Sequence, residues 1–213
     1  RMNKWTTQEM AQRLARDIEP GWYVNIGIGM PEMVCENLRE DDDIILQSEN
    51  GILGMGPLAR GDDIDTDLVN AGKKPVTARL GASYFEHTTS FAMMRGGHLD
   101  LCILGAFQVS GSGDLANWSL GRPGIPPAVG GAMDLAVGAK RVYVIMDHTT
   151  KDGGHKILPQ CTLPLTGLCV VTRVYTDLAV LERRHDRMHV IDLAPGVSFD
   201  MVQRATSVPL IAP

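Results

Sequence analysis

Ile44-Ile45-Leu46-Gln47-Ser48-Glu49-Asn50-Gly51-Ile52-Leu53-Gly54-Met55-Gly56-Pro57 is the stretch on which the reading of this chain turns. Ile44 to Leu46 is an apolar run of the kind that forms a parallel strand buried on both faces. One carboxylate, Glu49, stands where that strand should stop, and Gly51, Gly54 and Gly56 follow it. Glycines allow positive φ and close approach of the backbone to a ligand. Open α/β sheets bind their ligands beyond the carboxyl ends of the strands. The position of Glu49 therefore suits chemistry, while the pattern by itself favours a solvated acid beside a turn.

The surroundings repeat the alternation of strand and helix. Upstream, Thr6-x-x-Glu9 is a capping box, and Met10, Leu14 and Ile18 recur at helical spacing as far as Pro20. Tyr23 to Ile26 is a short strand, and Gly27-Ile28-Gly29 turns it into a helix with Pro31 in its first turn, running to about Leu38. Downstream, Asn50 to Lys74 reads as loop. Ser90 to Arg95 is a short helix closed by Gly96-Gly97, Leu101 to Leu104 a strand, and Gly111 to Gly131 a long irregular stretch carrying Pro123, Pro126 and Pro127. Ala132 to Val137 is helical and Val142 to Met146 is a buried strand. Val170 to Val174, Ala179 to Leu181 and Val190-Ile191 are shorter strands, and Ser198 caps a last helix from Phe199 to about Ala205. The sum is an α/β chain: an open, mostly parallel sheet flanked by helices, in one domain over residues 1–213.

Composition removes several classes of function. A net charge of −5 gives no basic field for nucleic acid. No apolar run approaches the ~20 residues of a membrane helix, and the N-terminal residues carry no apolar targeting segment. Cys35, Cys102, Cys161 and Cys169 are scattered without a Cys-x-x-Cys pair, which suits reduced thiols and a cytoplasmic location.

The other motifs are weaker than their look-alikes. Gly27-Ile28-Gly29 lacks the third glycine of a dinucleotide loop, and Asp43 is too near to serve as the ribose acid. It reads instead as a tight turn, either structural only or presenting backbone N–H groups to an oxyanion. Asp63-x-Asp65-x-Asp67 has Leu68 where a calcium loop needs glycine and Lys74 where it needs the bidentate glutamate. His185 and His189 fall in a charged turn without a third ligand, so no metal site is expected. No nucleophile elbow or phosphate-binding loop is present.

Taken together, seven strings in order identify a resemblance. They are Val24 to Pro31 (VNIGIGMP), Ser48 to Gly51 (SENG), Asn70 to Lys73 (NAGK) with Ser90 to His98 (SFAMMRGGH), Gly113 to Trp118 (GDLANW), Gly130 to Leu135 (GGAMDL), and Cys161 to Gly167 (CTLPLTG). The chain resembles the B (β) subunits of the class I 3-oxoacid coenzyme A transferases over nearly its whole length. Ile125-Pro126-Pro127-Ala128-Val129 is most similar to the 3-oxoadipate (β-ketoadipate):succinyl-CoA branch of aromatic catabolism, with the acetoacetate and acetate enzymes as the alternative. The resemblance implies that Glu49 is a covalent nucleophile, that Gly131 supplies an oxyanion donor, and that Asn25 orients the nucleophile. Gly27 and Gly29 form the adjoining turn, and Lys73 is implied in coenzyme A binding. It also implies a coenzyme A thioester as substrate and no permanently bound cofactor. The family's glycine-rich coenzyme motif belongs to the A subunit and is missing here, so an A-subunit partner is implied, in a heterotetramer. Arg122 is the arginine nearest the branch-specific ending and could receive a distal carboxylate. Two rival readings remain: a sugar-phosphate isomerase, which would need a phosphate loop not found here, and a non-catalytic subunit, which would have no need of Glu49.

Overall fold

The computed structural model describes residues 4–121, 124 and 128–213. Arg122 and Ile125 to Pro127, on which the acceptor reading rests, lie outside the described residues.

The first half of the chain contains α1 (Thr7–Ala15), β1 (Tyr23–Ile26), α2 (Glu32–Cys35), β2 (Ile45–Ser48), β3 (Ile52–Leu58), β4 (Val76–Tyr84), α3 (His87–Arg95) and β5 (Leu101–Leu104). There follow β6 (Gln108–Ser110), β7 (Leu115–Ala116), α4 (Ala132–Gly138), β8 (Val142–Ile145) and β9 (Ile157–Leu158). The chain closes with β10 (Arg173–Tyr175), β11 (Ala179–Arg184), β12 (Arg187–Leu193), α5 (Phe199–Arg204) and β13 (Leu210–Ile211). Ten strands form one sheet in the order β13-β12-β11-β10-β8-β5-β1-β2-β3-β4. Its centre, β10-β8-β5-β1-β2, is parallel throughout. Antiparallel strands β11 and β12 extend one side, and β3 and β4 the other. A small sheet, β7-β6-β9, stands apart from it.

The central strands β5 and β8 are apolar on both faces because both faces are covered. Along β5, Leu101 and Ile103 point to the layer containing Met10, Leu14 and Val34 from α1 and α2. Cys102 and Leu104 point to the layer containing Met94, Leu135 and Val202 from α3, α4 and α5. Period-two alternation thus serves two cores at once.

Three expectations need correction. Asn50 to Lys74 is not loop throughout, since Ile52–Leu58 is a strand paired with β2 and β4. Its glycines suggested a loop, but Gly54 and Gly56 sit where β3 passes tightly against Ala82 and Thr77 of β4 and the ladder shifts register. The first helix stops at Ala15 rather than near Pro20, though its capping box is present. The second lasts one turn, Glu32–Cys35, and then continues as i→i+3 turns from Asn37 to Val34 and from Leu38 to Cys35.

The topology fixes where a ligand goes. From β1 the chain moves outward through β2, β3 and β4, then returns by α3 to β5 on the other side of β1. The switch point between β1 and β5 opens a crevice beyond their carboxyl ends.

Candidate active site

Glu49 occupies a three-residue turn, Glu49-Asn50-Gly51, between paired residues Ser48 of β2 and Ile52 of β3. The Gly51 N–H donates to the Ser48 carbonyl at 3.0 Å, closing a turn that ends on a positive-φ residue. Only glycine fits there: φ is 119°, and a Cβ would run into the Phe85 carbonyl oxygen. Phe85 in turn donates its N–H to Gly51 at 3.0 Å. This pins the start of α3, two residues later, beside the nucleophile turn and delivers His87 and Phe91 to it. The two rings stack with centroids 4.5 Å apart.

On the other side of Glu49 lies Gly131, at the start of α4. Its backbone is ordinary (φ −80°), so glycine is required there for space rather than for dihedral freedom. A Cβ would collide with Glu49 Oε2 and crowd Phe91. The carboxylate therefore rests on the bare backbone of Gly131, whose N–H has no acceptor among the described residues. Glu49 itself has no hydrogen bond or ion pair among the described residues. Burial pushes its pKa up, the nearby Asp134 carboxylate adds to the rise, and His87 opposes it. Asp134 is held on α4 by an ion pair with Arg95 of α3.

Below the carboxylate, Asn25 of β1 is buried. Its amide donates to Gln47 Oε1 at 2.5 Å and to the Gln47 carbonyl at 3.2 Å, and Gln47 donates to Ser90 Oγ at 2.7 Å. The amide of Asn25 is thus engaged by β2 and forms no hydrogen bond to Glu49. The Gly27 N–H is taken by the Ile103 carbonyl at 2.8 Å and the Gly29 N–H by Glu32 at 3.2 Å. Neither of these two N–H groups is free to receive an oxyanion.

These residues open onto a cleft of about 520 Å³. It is lined by Asn25, Gly27, Glu49 and Gly131, and at its far end by Asp147 and Lys156. On the small-sheet side Asn117 lines the cleft, backed by the bonds between strings 113–118 and 161–167. The Leu115 N–H donates to Gly167 at 2.9 Å, and Thr166 Oγ1 donates to Asn117 Oδ1 at 2.5 Å. Trp118 Nε1 reaches the Leu165 carbonyl at 3.1 Å. The opposite wall is the turn at 69–74. Ser48 Oγ accepts from the Ala71 N–H at 3.0 Å, and Asn50 donates to the Val69 carbonyl at 2.7 Å. Behind that wall lies a second cavity of about 340 Å³, which shares Ser48 and Ala71 with the first.

The structure thus brings Glu49, Gly131, Asn25 and Gly27 to one cleft. Gly29 and Lys73 lie outside its lining; Lys73 is exposed on the 69–74 turn in the left-handed region, φ 62°. Sequence reading missed His87, three residues ahead of the helix start it assigned, and Lys156. Neither stands at a telling spacing from Glu49.

Comparison with known proteins adds the family. The chain is 54% identical over 208 residues to the B subunit of the 3-oxoadipate CoA-transferase of Pseudomonas putida (strain KT2440), covering 98% of this chain and 97% of that protein. It is 48% identical to the B subunit of the probable succinyl-CoA:3-ketoacid coenzyme A transferase of Bacillus subtilis (strain 168), covering 95% and 94%. Among solved structures, the acyl-CoA transferase YdiF of Escherichia coli O157:H7 superposes with a TM-score of 0.78 at 21% identity. That match covers 98% of this chain and 42% of YdiF, and it speaks for the fold alone. With residues 7–205 also matching the coenzyme A transferase family, the chain belongs to that family.

Proposed function

We propose that this chain is the B (β) component of a two-subunit 3-oxoacid coenzyme A transferase that moves coenzyme A from succinyl-CoA to a 3-oxoacid, with 3-oxoadipate favoured. The observation that carries the reading is a half-buried carboxylate on a switch-point cleft, resting on the bare backbone of Gly131 and without a hydrogen bond or ion pair among the described residues. An acid partly withdrawn from water, with no partner to compensate it, is poised to react.

Glu49 attacks the succinyl-CoA thioester carbonyl and expels the coenzyme A thiolate, leaving a mixed anhydride. The thiolate attacks the glutamyl carbonyl, releasing succinate and leaving a Glu49–coenzyme A thioester. The carboxylate of the 3-oxoacid attacks that thioester, and the released thiolate then attacks the acyl carbonyl of the new anhydride. The thioester energy is retained, and Glu49 returns as a carboxylate. When the glutamyl carbonyl is attacked, the negative charge develops on an oxygen of Glu49 itself. The Gly131 N–H is the donor proposed for that oxygen. The relative from Pseudomonas putida, whose name gives it as one of the subunits of a 3-oxoadipate CoA-transferase, supports both the acceptor and the need for an A subunit. Lys73, on the exposed 69–74 turn, is proposed to meet coenzyme A. The expected assembly pairs A with B and repeats by two-fold symmetry.

The test uses this chain co-expressed with its A subunit. Succinyl-CoA without acceptor should add one coenzyme A to the peptide containing Glu49, and borohydride should reduce that thioester and inactivate the enzyme. Glu49→Ala should give no adduct and lose ~10⁴-fold or more in transfer. A full-rate Glu49→Ala complex would overturn the reading. A higher kcat/KM for acetoacetate than for 3-oxoadipate would move the enzyme to the alternative branch.

A further inference from the structure

Lys156 enters the cleft of Glu49 from the opposite end. Its backbone is fixed by the small sheet: the Lys156 carbonyl accepts from the Val109 N–H at 3.0 Å, just ahead of the β6–β9 pairing. Lys4, Lys74 and Lys140 are exposed and each holds a carboxylate at 2.7 or 2.8 Å. Lys156 is more enclosed than any of them and holds none among the described residues. Burial pulls its pKa down, while Asp147 and Asp177, too far to pair with it, oppose that fall. A desolvated ammonium without an anion is unfavourable. Its position at the edge of an open cleft leaves its donors to whatever enters.

The cleft, about 520 Å³, has room for a small diacid. Its lining crosses the ends of β2, β1, β5 and β8, with Glu49 beyond β2 and Asp147 beyond β8. Three inter-strand steps of ~4.8 Å separate these ends by roughly 14 Å. Glu49 and Lys156 line this one cleft, so an acid whose carboxyl meets Glu49 can turn its second carboxylate toward Lys156. We propose that Lys156 binds the distal carboxylate of the acid whose other carboxyl exchanges with Glu49, and so selects dicarboxylic over monocarboxylic acyl groups. The proposal rests on the reading of Glu49 as nucleophile. In a double displacement one site takes two acids of different length in turn. A flexible lysine stem with a point charge follows both, where the fixed fork of arginine would fit one. The ammonium keeps its proton throughout and forms no bond to the substrate beyond hydrogen bonds.

The test measures formation of the Glu49–coenzyme A adduct in the A–B complex from succinyl-CoA and from butyryl-CoA, which has the same chain length and no distal carboxylate. Lys156→Met should slow adduct formation from subsaturating succinyl-CoA by roughly 10- to 100-fold, the worth of one charge-assisted hydrogen bond. The butyryl-CoA rate should change by less than about threefold or rise, and Lys156→Arg should recover part of the succinyl-CoA rate. An equal fall with both donors would assign Lys156 to the coenzyme A moiety or to folding and overturn the proposal. So would no change with either. Absence of any adduct in the unsubstituted complex would instead overturn the reading of Glu49, a result recognisable before any Lys156 variant is made.

Discussion

Two enclosed carboxylates, Asp17 and Glu49, sit in opposite conditions. Asp17, just beyond α1, accepts from Tyr175 at 2.7 Å and pairs with Arg13 at 2.8 Å and Arg173 at 3.2 Å. Arg13 also holds Asp192, and Arg173 holds Glu182, so α1 is tied to β10, β11 and β12 by one connected set of charges. Glu49 has no such partner among the described residues; Asp134 raises its pKa and His87 lowers it. Burial that is fully compensated fastens elements together. Burial left uncompensated stores reactivity, and the molecule keeps the two in separate halves of the sheet.

The sharpest way to break the contrast is Gly131→Ala. The backbone there accepts alanine, so the fold should survive with its melting temperature nearly unchanged. The new methyl displaces the Glu49 carboxylate, and a shift of ~1 Å should lower kcat by ~100-fold. Normal turnover in that variant would mean that the carboxylate does not react from its observed place. Asp17→Ala should do the reverse: about 2 kcal/mol of stability lost, because two arginines and a tyrosine lose their shared acceptor, with kcat/KM within about twofold. Urea unfolding of the A–B complex alongside steady-state kinetics separates these outcomes.

The smallest effect is on stability at Glu49 itself. Its pKa is raised in the folded chain, so the native state holds the proton more tightly than the unfolded chain does. The ionised group therefore destabilises the fold at neutral pH, and that penalty disappears as pH falls below the ordinary carboxylate range of about 4. Glu49→Gln should accordingly raise the urea midpoint at pH 7 and leave it unchanged near pH 4. A lowered midpoint at pH 7 would show that the carboxylate is stabilised by a partner after all.

How much of this was legible in the sequence follows from the same physics. β5 and β8 announce themselves because strands covered on both faces are apolar throughout. Glu49 stands out because an acid interrupts such a run before glycines. β4 (Val76–Tyr84) does not announce itself. It is the outermost strand, with Leu80 and Tyr84 exposed, so burial imposes little pattern on it. Gly27 and Gly29 showed the turn but not that their N–H groups are already taken. His87 is brought beside Glu49 through the Gly51–Phe85 backbone bond, and Lys156 is brought to the same cleft by the small sheet, contacts with no local signature. Gly131 was picked out by resemblance, and its steric reason is visible only when Glu49 is seen lying on it.

The turn at Ser48 to Gly51 carries a warning for anyone scanning this protein by saturation mutagenesis. Ser48 and Asn50 hold Ala71 and Val69 of the 69–74 turn, the partition between the two cavities; Glu49 is the proposed nucleophile; Gly51 admits the Phe85 carbonyl. Four adjacent positions would all score as intolerant, for three unrelated reasons. Intolerance there would map a partition, a reactive group and a backbone clearance onto one peak, and only a readout that separates folding, cavity shape and adduct formation would resolve it.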